Sequence, residues 1–458
     1  MGGAKQSNAL SALGWIDIVR LGLVQASLGA IAVLSTSTLN RVMVVELALA
    51  AMVPGILVTL HYGVQITRPL WGHGSDIGGR RTSWILGGLA LAGLGSVGAA
   101  AASAVMVTNF ALGMALAVVD FILIGIGIGA AGTSLLALLA TNTAALRRAG
   151  AATLVWLMMI AGMAITSIAA GAFLDPFTPG RLVVVTAIVS VAALALAGLS
   201  LAGIEGRLRR TSQLAPEQVV AKVSFRESLA DAWADRQARR FTIFVFLSML
   251  AFSAQDLILE PYAGLVFAMT PGETTTLSGI QSGGVFIGML LVGLLGSSLG
   301  RTRPGVLKIF TVTGCIASAM ALALLGASSQ SAGVWPLTAN VFALGFANGV
   351  FAVAAIGSMM ALAGAANRPG ERPREGMRMG LWGAAQAIAF GLGGFAGTIV
   401  VDIARAVLPV EEAYALVFMI EAGLFLIAAA VALAIAMPSA ARPRATTSPS
   451  PDVLQPAE

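Results

Sequence analysis

Stretches of about twenty nearly uncharged, apolar residues recur along the whole chain, and no other feature constrains its fold so tightly. Each is long enough to cross the hydrocarbon core of a bilayer as a helix, where lipid offers no partner to backbone N–H and C=O groups. A membrane barrel would alternate apolar and polar residues instead, and these runs do not. With 57% apolar residues, only 10% charged ones and 54 glycines in 458 positions, the chain lies outside the range of water-solvated domains. The sequence predicts an all-α integral membrane protein. Spans fall at 14–38, 43–69, 83–106, 108–140, 146–173 and 181–203, then at 241–269, 275–299, 304–327, 332–365, 379–403 and 412–437. Residues 1–203 and 241–437 are thus expected to be two six-helix bundles. The charged segment between them, 204–240, is too polar for lipid and predicts a short amphipathic surface helix through Phe225, Leu229 and Trp233. No cleavable signal peptide is expected, since residues 1–12 are polar and no small-residue cleavage site follows the first apolar run.

Topology follows from Lys and Arg, which are retained on the cytoplasmic side. Lys5, Arg80, Arg81, Arg147, Arg148, the central segment, Arg301, Lys308, the cluster in 368–378, Arg442 and Arg444 fall on one side; Arg41, Arg181 and Arg405 fall on the other. Both termini are therefore expected in the cytoplasm of a bacterium, with the protein multi-pass in its inner membrane. The net charge of +6 reads as topology and attraction to anionic lipid, not as nucleic-acid binding. The Pro- and Ser-rich tail, 438–458, is expected to be disordered.

The two bundles echo each other. "GHGSDIGGRR" at 72–81 and "GLLGSSLGRT" at 293–302 align Gly72, Asp76, Gly79 and Arg80 with Gly293, Ser297, Gly300 and Arg301. "RAGAATLVW" at 148–156 answers "REGMRMGLW" at 374–382. Both bundles start from the same side, so the repeat is parallel. The first loop resembles the signature between helices two and three of the major facilitator superfamily, here Gly72, Asp76, Gly79, Arg80 and Arg81, although Ile77 stands where that family usually has a basic residue. The resemblance implies a twelve-helix facilitator fold in which Asp76 and the arginines latch the bundles at the cytoplasmic face.

Two further strings, "TLNRVMVVEL" at 38–47 and "QDLILEPYAG" at 255–264, resemble the PucC and LhaA family, the bacteriochlorophyll-delivery branch of that superfamily in phototrophic bacteria. The resemblance implies a photosynthetic-membrane factor that delivers bacteriochlorophyll to light-harvesting antenna complexes, or chaperones their assembly. It implies bacteriochlorophyll or a late precursor as cargo, and light-harvesting polypeptides or a pigment-synthesis enzyme as partners. It leaves the oligomeric state and the antenna served open.

Ionisable groups at membrane depth are costly, so they are expected to face a cavity or a partner. The candidates are Asp120, Asp256, Glu260 and Glu421, with Gln255 and Tyr262 beside the acid pair and His61 and Gln65 on one face of the second span. Asp256 and Glu260 are spaced i, i+4 and share a helix face. In one reading they line a site for a ligand polar group or a partner helix, with the Tyr262 hydroxyl in the same site. In the other they reach water near the end of the span and accompany a helix break at Pro261, whose missing N–H frees an upstream carbonyl. His61 is either an axial ligand to a pigment magnesium, the one metal in view, or a helix-packing hydrogen-bonding group.

"IGIGIGAAG" at 124–132 lies inside an apolar helix with no strand before it, so it reads as a packing surface, as does "GLGGFAG" at 391–397. Met158 and Met159 read as adaptable filling. Cys315 is the single cysteine. No nucleophile–base–orienter set, phosphate loop or histidine–carboxylate cluster is present, so neither an enzyme nor a bound metal or nucleotide is expected. An alternative to the assembly factor is an alternating-access transporter of a small amphipathic solute, with protons coupled through Asp120, Asp256, Glu260 or Glu421.

Overall fold

The computed structural model describes residues 13–67, 81–144, 147–207, 233–299, 305–329, 334–364 and 375–435. Among them the chain is helical, with no strand: α1 (Trp15–Glu46), α2 (Met52–Val64), α3 (Arg81–Met106), α4 (Phe110–Asn142), α5 (Arg148–Leu174), α6 (Pro179–Leu201), α7 (Arg236–Val266), α8 (Pro271–Leu299), α9 (Val306–Ser328), α10 (Leu337–Gly364), α11 (Glu375–Arg405) and α12 (Val410–Leu433). Eleven are long and apolar enough to cross a membrane; α2, at 13 described residues, is the short one. Large apolar side chains such as Leu94, Ile165, Phe173 and Leu199 stand exposed around the outside, as a lipid-facing surface requires. The chain is a multi-pass membrane protein.

Helix neighbours repeat with a shift of six. In the first six helices, α1 packs on α5 and α6, α2 on α4, and α3 on α4 and α6. Adding six to each label gives the main pairs of the last six: α7 on α11 and α12, α8 on α10, α9 on α10 and α12. The main pairs between the groups, α2 with α11 and α5 with α8, exchange under the same shift. The turns agree as well. Two residues beyond both α1 and α7 stands an alanine with positive φ, Ala48 at 51° and Ala268 at 53°. In each case the next amide reaches back six residues, Leu49 to the Met43 carbonyl and Met269 to that of Ala263.

The expected break between the first two spans at 38–43 is corrected. α1 runs on to Glu46 through two π-helical turns, Leu34–Thr38 and Val42–Glu46, and the chain turns at 47–51. Asn40 and Arg41 looked like loop residues because they are polar, yet they are 1% and 2% exposed. Arg41, expected at the non-cytoplasmic surface, is instead buried in α1. α7 continues through Pro261 to Val266, in keeping with the span expected at 241–269, and without the break at Pro261 that one reading of the acid pair invoked.

Both glycine-rich segments pack closely. A Cβ on Gly127 would lie 2.5 Å from the Gly88 carbonyl of α3, and one on Gly393 would lie 2.5 Å from the Leu250 carbonyl of α7. Only a residue without Cβ permits such backbone approach. Met158 fills the space against Gly22, and Met159 that against Gly29.

Candidate functional site

The strings at 38–47 and 255–264 form one structural unit where α1 crosses α7. Pro261 cannot donate to the carbonyl four residues before it, that of Leu257. The Asn40 side-chain amide donates to that carbonyl instead, at 2.6 Å. One residue on, the Arg41 guanidinium pairs with Glu46 in the next turn of α1 and donates to the Met269 carbonyl beyond α7 at 2.7 Å. It also lies within electrostatic reach of Glu260 and against Gly264. Glu260 is 1% exposed and accepts from the Ser278 hydroxyl of α8, while the Thr38 and Thr275 hydroxyls meet at 3.1 Å. A buried carboxylate and guanidinium are tolerable in lipid only when paired this way.

Asp256, one turn before Glu260, is partly buried and lines a cavity of about 20 Å³, room for one water. Its walls are Thr36 of α1, Thr59 and Tyr62 of α2, Ser253 of α7, and Phe390 and Gly391 of α11. Thr59 donates to the Gly391 carbonyl at 3.2 Å across the α2–α11 seam. Tyr62 and Phe390 stand 6.0 Å apart by ring centroids. Asp256 has no hydrogen-bond partner among the described residues. The cavity therefore offers one uncommitted carboxylate, two hydroxyl-bearing threonines and two aromatic faces.

The other expected site residues scatter. Tyr262 is fully buried and turned away from the acids: its hydroxyl meets the Leu325 carbonyl at 3.1 Å and Ser328 at 2.7 Å, and its ring packs edge-on against Phe418. Six residues from Asp256, it lies about 240° around the helix, so the expectation that it serves the acid pair is corrected. Gln255 is fully buried with neither side-chain polar atom hydrogen-bonded. Glu421 of α12 is 2% exposed, both carboxylate oxygens lack a hydrogen-bond partner, and Asp256 is near enough to act on it electrostatically. His61 is buried, joined to Gln65 at 3.0 Å, and its backbone carbonyl abuts Gly125 of α4, so α2 and α4 pack closely there. Asp120 sits over Gly98 of α3 and is not among the residues lining the cavity.

Of the facilitator-type loop, Gly72, Asp76, Gly79 and Arg80 lie outside the described residues, as do His73, Phe225 and Leu229. Arg81 donates to the Thr141 hydroxyl at 2.7 Å, joining α3 to α4. The first amides of α3 are capped by Glu205, which accepts from Arg81 N at 2.8 Å and Thr82 N at 3.0 Å. Glu205, Asp175 and Asp402 escaped the sequence reading because their partners, backbone amides and for Asp175 also the Thr270 hydroxyl, are distant in sequence. Among the described residues no group of three His, Cys, Asp or Glu side chains is placed to hold a metal ion.

A family model described as PUCC protein matches residues 38–440. The chain is similar to the bacteriochlorophyll synthase 44.5 kDa chain of Rhodobacter capsulatus, 52% identical over 423 residues, 92% of this chain and 96% of that one. It is also similar to Protein PucC of Cereibacter sphaeroides, 30% identical over 430 residues, 89% of each chain. An uncharacterized protein in the puhA–bchM intergenic region of R. capsulatus is 29% identical over 399 residues, 84% of this chain and 80% of that one. The expectation that the chain is no enzyme is corrected by the first of these, whose name is that of a synthase chain.

Proposed function

The chain belongs to the PUCC protein family, and from that premise we propose that it handles bacteriochlorophyll, or a late precursor, in a photosynthetic inner membrane. In this reading it passes pigment to light-harvesting polypeptides, or chaperones their assembly, and works beside the enzyme that completes the pigment. The names of its relatives support a pigment-linked role. The six-helix shift in helix neighbours supports a major facilitator arrangement with bundles at 1–203 and 241–437; in this reading 204–240 is a linker, 438–458 a tail, and the distribution of Lys and Arg is what supports both termini in the cytoplasm.

The observation that carries the proposal is Asp256: a carboxylate without a partner among the described residues, in a cavity between the two bundles walled by Tyr62 and Phe390. A carboxylate is a hard oxygen donor suited to magnesium or to a water upon it, and aromatic faces suit a flat macrocycle. At about 20 Å³ the cavity admits a water and not a tetrapyrrole, so in this reading loading requires the α2–α11 seam to part.

A second reading, proton-coupled transport of a small amphipathic solute, is favoured by Glu421, a buried acid without a hydrogen bond in electrostatic reach of Asp256. One preparation separates the two. The protein purified in mild detergent is expected to carry bacteriochlorophyll absorption, or to bring antenna polypeptides or a pigment-synthesis enzyme with it. A colourless, partner-free preparation that moves a solute in proteoliposomes would overturn pigment handling.

A further inference from the structure

Two carboxylates, one from each bundle, close the α1–α2 end of the molecule in the same manner. Asp402, in the last turn of α11, accepts from the Ala51 amide at 2.9 Å and the Met52 amide at 2.7 Å, where α2 begins. Asp175, immediately after α5, accepts from the Gly272 amide at 3.2 Å, where α8 begins, and from the Thr270 hydroxyl at 2.6 Å. Under the six-helix shift α11 corresponds to α5 and α2 to α8. Each bundle thus supplies the acid that caps a helix of the other.

The first amides of a helix lack intrahelical partners and stand at the positive end of its dipole, so a carboxylate there makes charge-assisted bonds. A glycine permits close packing at both places, backbone on backbone at the Asp175 cap and backbone on the Thr398 side chain near the Asp402 cap. A Cβ on Gly171 would lie 2.6 Å from the Gly272 carbonyl, and one on Gly55 would lie 2.4 Å from the Thr398 hydroxyl.

We propose that the Asp175 and Asp402 caps form one reciprocal clasp that holds the α1–α2 end shut, opens as a unit, and controls access to the cavity beside Asp256. α2 and α11, joined by the Asp402 cap, are also walls of that cavity. Each capping helix packs firmly within its own bundle, α5 on α1 and α11 on α7. Freeing one cap alone would bend a helix out of its bundle, whereas a rotation of one bundle against the other frees both. The clasp rests on these contacts and is independent of what the cavity binds.

Hydrogen–deuterium exchange on the full chain in lipid nanodiscs tests the coupling. Asp402→Asn is expected to speed exchange at least threefold in the peptide holding Gly272, as well as in that holding Ala51 and Met52, and Asp175→Asn to speed it likewise in both peptides. Acceleration confined to the substituted cap would overturn the clasp. A second measurement does not depend on those variants folding. Thr38→Cys with Thr275→Cys, in a Cys315→Ala background, places two thiols where hydroxyls now stand 3.1 Å apart. Oxidising that pair is expected to slow exchange at both caps about tenfold, and unchanged exchange at either would equally overturn the clasp.

Discussion

The Asn40 side-chain amide donates to the Leu257 carbonyl at 2.6 Å, and Leu257 is the residue whose helical partner Pro261 removes. The defect in α7 and its repair in α1 lie 217 positions apart in sequence. Asn40→Ala leaves a buried carbonyl unsatisfied, which costs about 1–3 kcal/mol. Pro261→Ala restores an amide to the ladder, so in that background Asn40→Ala is expected to cost at least ~1 kcal/mol less. Thermal melts of the four proteins in detergent close the cycle, and equal costs in both backgrounds would refute the pairing.

Arg41 and Glu46 form an asymmetric pair, with 2% and 34% of their side chains exposed. Glu46→Gln strands a buried cation from its direct partner and is expected to lower stability by about 3 kcal/mol. Adding Arg41→Met removes that cation and recovers most of the loss. A double variant less stable than Glu46→Gln alone would show that the Met269 carbonyl and Glu260, not Glu46, are what the guanidinium mainly serves.

Asp256 and Glu260 separate by role. Asp256→Asn disturbs no hydrogen bond among the described residues and is expected to shift stability by no more than about 0.5 kcal/mol, while reducing co-purified pigment or antenna polypeptide severalfold. Glu260→Gln keeps an oxygen for Ser278 and remains folded. The double variant is expected to insert normally and to impair antenna assembly, measured as antenna absorption of whole membranes. Normal antenna levels would assign the pair to packing alone.

Tyr262→Phe is expected to cost about 1 kcal/mol and to leave pigment or partner recovery unchanged. Its hydroxyl meets only Leu325 and Ser328, and Ser328 retains its own bond to the Leu325 carbonyl. A loss of pigment without a loss of stability would return Tyr262 to the site.

Apolar run length predicted twelve spans, and eleven helices among the described residues are long and apolar enough to cross a membrane, because lipid imposes a single rule on the backbone. The strings at 38–47 and 255–264 were conspicuous as sequence, and the structure shows them in contact. What the strings do to each other was not legible: polarity made Asn40 and Arg41 look like a loop, and the missing N–H of Pro261 left a break in α7 as one of two readings. In both cases a partner far along the chain reverses the local preference. The clasping acids were invisible for a related reason, since a carboxylate aimed at backbone amides leaves no pattern of partner side chains. Tyr262 was misplaced by adjacency, because closeness in sequence to an acid is not closeness on a helix.

The two π-helical turns of α1 flank Asn40 and Arg41. Each widens the winding to hold an extra residue within a turn, so together they act as a phase adjustment along an otherwise regular screw. Deleting one residue from 34–38 would restore ordinary winding and leave everything beyond nearly in phase, whereas deleting one from the regular winding before Leu34 would swing it by about 100°, turning Asn40 off the Leu257 carbonyl and the guanidinium of Arg41 off Met269. In this helix the spacing between residues carries as much information as their identity: a single-residue deletion is absorbed inside a π turn, but one in the regular winding before that turn would rotate the half of α1 that reads α7.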